Sequence, residues 1–559
     1  MNTTTAQGSW TGAAGVFTAA TDIITNASTT YQALAVGAIL ILLSRVFLGG
    51  GKEKGPIALM PFWVPIEVAA VSYCVAGGGI MGRIFSLFRR NSGSLYGFSS
   101  AHQVLFDFKD VDKVLTKHAK SLDNFPPGLT LVMRVFGLES GGRPKKELES
   151  IYVRFESIAA KLYLFVEKIF VGERSSEAAV AGADIPGRVV DLVTFSTKKE
   201  DQKMWEWSAA VKPLTPGVAA EVTLNKLVRD FGACAVIPML HGQDLLDRHP
   251  TFLEDFWKFD TDVFPMLIVG IPSWAPIKAL REGIAARDRC NAALTDVYRR
   301  VDLWAKGQPT GNKYEPSAII KQRYEQYETV DMPLWARGTA DLSLLWGQNA
   351  NSQVLLFWFV AYLYSTPDLV KELRREMAEF VPVDTACDPP RIASIDIRAL
   401  STQCPLLKSA LFETFRMSSE ATSIRYVKED ITVEEDGRTF RLKAGSWMSA
   451  PHGVTQHDAK YYPDPHRFVP DRFLVTDPET GKRVPRYGKL NPWGSGPRMC
   501  KGRTLAEKEI LVIAAAIMSL WDIQPVGEEW RIPKMRPGTG VDCPTEDMRV
   551  VLRRRTVFE

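Results

Sequence analysis

The longest apolar run lies near the start of the chain. Tyr31 to Leu48 is an 18-residue stretch interrupted by Ser44 and Arg45 and followed by Gly49-Gly50-Gly51, Lys52 and Lys54. A run of that length just crosses a bilayer if Arg45 snorkels to the interface, so residues 31–48 read as one transmembrane helix, with a buried N-terminal helix as the alternative. Positive charge after the run rather than before it argues against a cleaved signal peptide and puts everything beyond Lys52 in the cytosol. Pro56, Pro61 and Pro65 bar a regular helix from the apolar segment that follows, which reads as a stiff hinge. Further along, a polar patch ending in Gln348-Asn349-Ala350-Asn351-Ser352-Gln353 runs into Val354 to Val360, the pattern of a buried central helix. Cys404 to Met417 is expected to be helical with a largely apolar surround. Thr504 to Leu520, free of Pro and Gly and rich in Ala, Leu, Ile, Glu and Lys, is expected to be helical as well. Phe264 to Trp274 is broadly apolar and is either an exposed contact surface or ordinary core.

Composition fits a globular protein, 46% hydrophobic and 24% charged over 559 residues. The seven cysteines are odd in number and scattered, with no C-x-x-C pair, which argues against a disulfide framework or zinc knuckle and for a reducing compartment. Two sequons, at Asn2 and Asn26, would fall on the lumenal side of the anchor. No internal repeat or low-complexity tract divides the rest, giving a short lumenal segment (1–30), the anchor (31–48), a Gly/Pro hinge (49–65) and one catalytic body (66–559).

The candidate chemistry centres on Trp493-Gly494-Ser495-Gly496-Pro497-Arg498-Met499-Cys500-Lys501-Gly502, a glycine-rich loop that presents one cysteine just before a helix N-terminus, where backbone N–H groups and the dipole favour a thiolate. Gly494, Gly496 and Gly502 are expected where the backbone bends tightly and lies close to a flat cofactor. Glu413 and Arg416 are three apart and share a helix face. Such a pair is often a solvated surface pair, but Leu407, Leu411, Phe412 and Phe415 around it suggest it is drawn inward.

The loop resembles the F-x-x-G-x-R-x-C-x-G haem-binding loop of the cytochrome P450 family, with Trp493 in place of Phe. Glu413 and Arg416 resemble its E-x-x-R motif, and Pro470-Asp471-Arg472-Phe473 its P-x-R-F segment. The resemblance implies a mainly α fold with a small β region, haem b with Cys500 as axial thiolate, and a buried triad of Glu413, Arg416 and Arg472. It also implies Arg425 and Arg498 on haem propionates and His457 at the haem edge. Trp493 adds an indole N–H that is expected near the sulfur. No W-x-x-x-R pair follows from Trp205 or Trp207, so the second propionate partner is not evident.

The central helix departs from the family's A-G-x-D/E-T-T oxygen-activation motif. In the corresponding register Ala350 replaces the acid and Asn351 the threonine, leaving Ser352 as the nearby hydroxyl. Asn351 donates a hydrogen bond but does not readily relay a proton. Alternatively the patch is a satisfied polar kink. The pattern is similar to the branch holding sterol 7-alpha- and 12-alpha-hydroxylases and prostacyclin synthase. The implied function is therefore an NADPH-dependent monooxygenase at the endoplasmic reticulum membrane acting on a lipophilic terpenoid, steroid or related metabolite. A redox-neutral haem isomerase is the alternative, and a haem sensor a third. Eight basic residues against one acid between Lys482 and Lys508 make that window +7. It is expected to dock an acidic flavin reductase. Without aromatic-interleaved or groove-reading motifs, the charge does not point to nucleic acid.

Overall fold

The computed structural model describes residues 58–59, 95–99, 102–105, 110–268, 271–435, 437–536 and 538–558. The expected anchor at 31–48, the lumenal segment with Asn2 and Asn26, and all of the hinge except Ala58–Leu59 lie outside these residues. Among the described residues no single helix is long and apolar enough to cross a membrane.

Eight helices matter for the site: α1 (Lys145–Val171), α2 (Leu224–His241), α3 (Lys278–Ala305), α4 (Ala318–Glu328), α5 (Leu334–Asn349), α6 (Ser352–Ser365), α7 (Pro405–Ser418) and α8 (Arg503–Leu520). Helix α1 buries Ile151, Phe155, Ile158, Leu162, Val166 and Phe170, the spacing of a single apolar stripe. In α6, by contrast, every residue from Ser352 to Leu363 is buried, so the run that reads as a central helix is the middle of the core. Pro405 opens α7 at its first turn, where a missing N–H costs nothing, and Cys404 caps it.

Close approach of backbones sets the helices around the centre. A Cβ on Gly232 of α2 would lie 1.9 Å from Gln353 Oε1 on α6. A Cβ on Gly338 of α5 would lie 2.9 Å from the Asn291 carbonyl oxygen of α3. At Gly338 the neighbour is backbone, so only glycine admits that crossing, whereas at Gly232 a side chain would displace the Gln353 amide.

The largest sheet combines β1 (Ala58–Leu59), β2 (Leu95–Ser99), β3 (His102–Leu105), β4 (Leu122–Asp123), β5 (Thr422–Val427) and β6 (Trp447–Pro451) in the order β1-β2-β3-β6-β5-β4. Burial alternates along β5, turning Ser423, Arg425 and Val427 to the inside. That alternation aims Arg425 at the interior, and the antiparallel pairing of Met448 with Arg425 holds its register. A second sheet orders Trp521–Pro525, Arg549–Arg554, Ala219–Thr223 and Lys212–Thr215.

A buried polar network ties α3, α4 and α5 together. Asp341 accepts from Arg323 Nε at 2.9 Å, from Tyr327 Oη at 3.1 Å and from Tyr298 Oη at 2.8 Å, with His241 Nε2 at 3.3 Å. Burial alone would raise its carboxyl, but the Arg323 guanidinium and His241 outweigh it and hold the carboxyl down at about 2. A depressed carboxylate contributes stability above its unfolded value and loses it as pH falls from about 4 toward 2, here on the order of 2 kcal/mol. Urea midpoints measured across that range should fall in the native chain, and this acid-dependent increment should be missing in Asp341→Asn.

Candidate active site

Helix α8 runs from Arg503 to Leu520, one residue earlier than its apolar pattern suggests, and Cys500 stands just ahead of it. The loop is closed by Cys500 N–H donating to the Trp493 carbonyl at 2.9 Å and Met499 N–H to that of Gly496 at 3.1 Å. Gly494 and Gly496 have φ of 76° and 75°, so a side chain at either would be strained. Gly502 does not share this need. It takes an ordinary backbone conformation as the N-cap of α8, and its N–H points at the Cys500 sulfur.

Cys500 opens onto a cavity of about 1170 Å³, its open mouth included. Phe170, Leu355, Phe415, Leu505, Ile510 and Val541 make its apolar walls, and Arg425, Arg498, Asn351 and Ser352 also line it. Burial pushes the Cys500 thiol up, while backbone N–H groups of Gly502 and Arg503 and the Arg503 charge pull it down. A bound metal ion deprotonates such a thiol outright. Arg425 is buried, and burial and then the Arg498 charge bring its guanidinium down to about 10. Its own bonds go to the carbonyls of Ile424 and Ser495, at 2.9 and 3.4 Å. Among the described residues neither arginine has a carboxylate partner. Two unneutralised guanidiniums lining a cavity that also holds one soft sulfur ligand fit a flat, dianionic, iron-bearing cofactor.

Not every expected site residue reaches this cavity. Gly496 packs instead on the helix Val111–Lys117: its N–H donates to Asp112 Oδ1 at 2.9 Å, and a Cβ would lie 2.7 Å from Leu115 Cβ. His457 stacks on His466 at 5.8 Å, away from the cavity lining, because its loop is pinned to Arg416 through the Gln456 carbonyl. The imidazole near the cavity belongs to His452, whose Nε2 lies 2.9 Å from the hydroxyl of the lining residue Ser423. Glu413, Arg416 and Arg472 do come together, outside the cavity but directly beneath Phe415, which lines it.

Trp493 lines the cavity, yet its indole Nε1 donates to Tyr487 Oη at 3.0 Å, and Tyr487 donates to Glu507 Oε2 at 3.1 Å. The expected N–H···S bond is therefore not made. Trp493→Phe should leave the reduction potential of the bound iron unchanged and cost about 1 kcal/mol through the lost Tyr487 bond. Redox titration and a urea midpoint of the same variant check both.

The central helix breaks at Ala350 and Asn351, between α5 and α6. Asn351 Oδ1 accepts the Val541 N–H at 3.0 Å, and Ser352 Oγ donates to the Gln348 carbonyl at 2.6 Å. The patch is a kink, but not a satisfied one: Asn349 Oδ1 and Gln353 Oε1 are buried without a partner among the described residues. Above it, Phe264 stacks on Trp346 at 4.3 Å, while Trp274 is 81% exposed. The apolar segment from Phe264 is thus core at its start and surface at its end.

The +7 window is not a +7 surface. Lys508 is buried on Glu173 and Glu177, Lys501 pairs with Glu167 at 2.6 Å, Arg483 with Asp471 at 3.0 Å and Arg486 with Asp477 at 3.6 Å, while Arg498 faces the cavity. Distant acids, invisible in a local count, cancel most of it.

Sequence reasoning also missed Ser423, Glu509 and the segment Thr539 to Val541 as lining residues. Glu509, an acid on the inner face of an apolar helix, was the one legible signal.

Residues 342–550 match the family model described as Cytochrome P450. A "Cytochrome P450 monooxygenase" of Gibberella zeae is 27% identical over 57% of this chain and 58% of its own length. A "25-hydroxycholesterol 7-alpha-hydroxylase" of Rattus norvegicus is 27% identical over 49% of this chain and 63% of its own, and the "Cytochrome P450 monooxygenase poxD" of Penicillium oxalicum 25% over 55% and 59%. The matches thus span about three-fifths of these relatives' length. With the cysteine loop, the E-x-x-R pair and a cavity lined from both of their helices, residues 342–550 are similar to the cytochrome P450 proteins.

Proposed function

We propose that this chain is a haem-thiolate monooxygenase that inserts one oxygen atom from O2 into a lipophilic small molecule of the steroid or terpenoid class. NADPH electrons arrive through a flavin reductase. The observation that carries the reading is Cys500 opening onto a cavity that also holds Arg425, Arg498 and the break at Asn351. Bound haem supplies activation of O2, with electron density from the thiolate favouring O–O cleavage.

The chain's own residues then have separate tasks. Cys500 ligates the iron, Gly502 and Arg503 N–H groups orient the sulfur, and Arg425 and Arg498 neutralise the propionates. Phe170, Leu355 and Val541 offer apolar contact to the substrate and exclude water. Asn351 has its carbonyl committed to Val541, which leaves its amide N–H groups for the cavity. The Ser352 proton is committed to Gln348. Similarity to a 25-hydroxycholesterol 7-alpha-hydroxylase supports a polycyclic substrate. Residues 31–48 would anchor the body at the endoplasmic reticulum membrane, facing the cytosol.

The poor relay at Asn351 favours one competing reading, a redox-neutral rearrangement on the same iron. Full-length protein incubated with candidate sterols and terpenoids under labelled O2, with and without NADPH and reductase, separates the two. Product carrying one labelled oxygen, formed only with NADPH, is expected. Conversion of substrate without NADPH and without label would instead establish the isomerase.

A further inference from the structure

The cavity contains one carboxyl group that the reading above does not use. Glu509 is the seventh residue of α8, which begins three residues after Cys500, and is 2% exposed. Among the described residues it is the single acid lining the cavity. Its Oε1 accepts Gln353 Nε2 at 2.6 Å, across 156 residues of sequence. Gln353 also reaches Ser352 Oγ at 3.4 Å, so the carboxyl is tied to the break in the central helix. Gly232 lets the Gln353 amide sit there, because any side chain at that position would occupy its place.

This is an unusual setting for an acid. No cation pairs with Glu509 among the described residues, and its second oxygen has no protein partner there. Lys508, its neighbour in sequence, points the other way to Glu173 and Glu177. A buried carboxyl without a counter-ion or N–H cage would be costly as an anion. Burial accordingly pushes it up to about 8, with the Gln353 bond opposing.

We infer that Glu509, positioned by Gln353, is the group that delivers protons into the cavity, a task for which the break at Ala350 and Asn351 offers no acid. Gln353 holds Oε1 and leaves Oε2 to carry the proton on the cavity side. In the transfer the Oε2–H bond breaks, the proton passes to a water or reacting oxygen in the cavity, and the carboxylate remains. A proton from solvent water restores the acid. Each protonation of Glu509 carries one proton inward and no electron, so the two protons consumed in one oxygenation take two passes. Neither Asn351 nor Ser352 is suited to this, since the first does not ionise and the second has its proton bound to Gln348. The inference rests on the oxygenase reading.

The test uses full-length, haem-loaded protein and the variants Glu509→Gln and Glu509→Asp. Infrared difference spectra on photolysis of the CO complex should contain a carboxylic-acid C=O band in the native protein. That band should vanish in Glu509→Gln and shift in Glu509→Asp, while the thiolate CO band in the visible and the urea midpoint stay in place. With reductase and a converted substrate, Glu509→Gln should lose about 10²-fold in product kcat, the low end of a general-acid contribution, and divert NADPH to hydrogen peroxide. Glu509→Asp should restore much of the loss. A native spectrum without the band, or a band untouched by Glu509→Gln, overturns the inference, as does an unchanged product rate in that variant. If the native protein oxygenates none of the lipids, the oxygenase reading fails instead, and the infrared result still decides whether Glu509 holds the proton.

Discussion

Cys500→Ser should eliminate the reduced-CO absorption band of a thiolate-ligated haem and, on the proposed oxygenase reading, all product formation, while the apoprotein keeps its helical signature. A serine hydroxyl has nearly the size of the thiol, and the backbone bond from residue 500 to the Trp493 carbonyl at 2.9 Å does not involve the side chain. The loop, with Gly494 and Gly496 already in left-handed conformations, therefore still closes. What is lost is electronic. A hydroxyl does not ionise at neutral pH, so no anionic donor is aimed into the cavity by the Gly502 and Arg503 N–H groups. Loss of a residue that merely orients a metal ligand costs roughly 10- to 100-fold, and losing the ligand itself should exceed that. Spectra of the CO complex, haem content and turnover with a converted lipid check the outcome. Retention of the thiolate band in Cys500→Ser would remove Cys500 from the site.

The second large effect is expected at Glu413, far from any reacting atom. Its carboxylate and the Arg416 side chain are both 0% exposed, and Arg472 is 11% exposed. Arg416 meets it through Nε and Nη2, both at 2.8 Å, Arg472 Nε at 3.0 Å, and the Val469 N–H at 3.0 Å. The remaining Arg416 donors reach the carbonyls of Gln456 and Pro465, at 2.8 and 2.7 Å. One carboxylate thus fastens α7 to the loop that carries Arg472. Glu413→Ala leaves a fully buried guanidinium without its counter-charge, at a cost of about 3 to 5 kcal/mol. Against a typical total of about 5 to 15 kcal/mol this is enough to unfold much of the protein at physiological temperature. Because Phe415 and the strand from Thr422 line the cavity, haem should be lost together with the fold. Urea denaturation at constant m-value and haem content measure this. Glu413→Gln, which keeps shape and some hydrogen bonds, should fall between. A stable, fully haem-loaded Glu413→Ala would show that the triad does not hold the site.

These two effects were legible in the chain because each rests on local spacing. Helical geometry puts a cysteine ahead of an apolar helix and a Glu and an Arg on one face among leucines and phenylalanines, and the resemblance of both patterns to a known family implied their roles. Trp493 and His457 show where that logic ends. Trp493 lines the cavity, but the direction of its indole N–H depends on Tyr487, and the imidazole that approaches the cavity is His452 rather than His457. A backbone position is local, whereas the target of a side-chain donor is set by whatever packs against it.

Amino-acid order alone was enough for the helices and the cysteine loop, since periodicity, proline and glycine act over a few residues, and the loop's resemblance to a known haem-binding pattern implied the cofactor. Only the packed chain decided that the basic window is mostly neutralised, that Asn351 is clasped by Val541 across 190 residues, and that Glu509 is buried against Gln353. Charge state and hydrogen-bond commitment depend on desolvation and on partners remote in sequence. Those two quantities come into being when α6 and α8 close around the cavity.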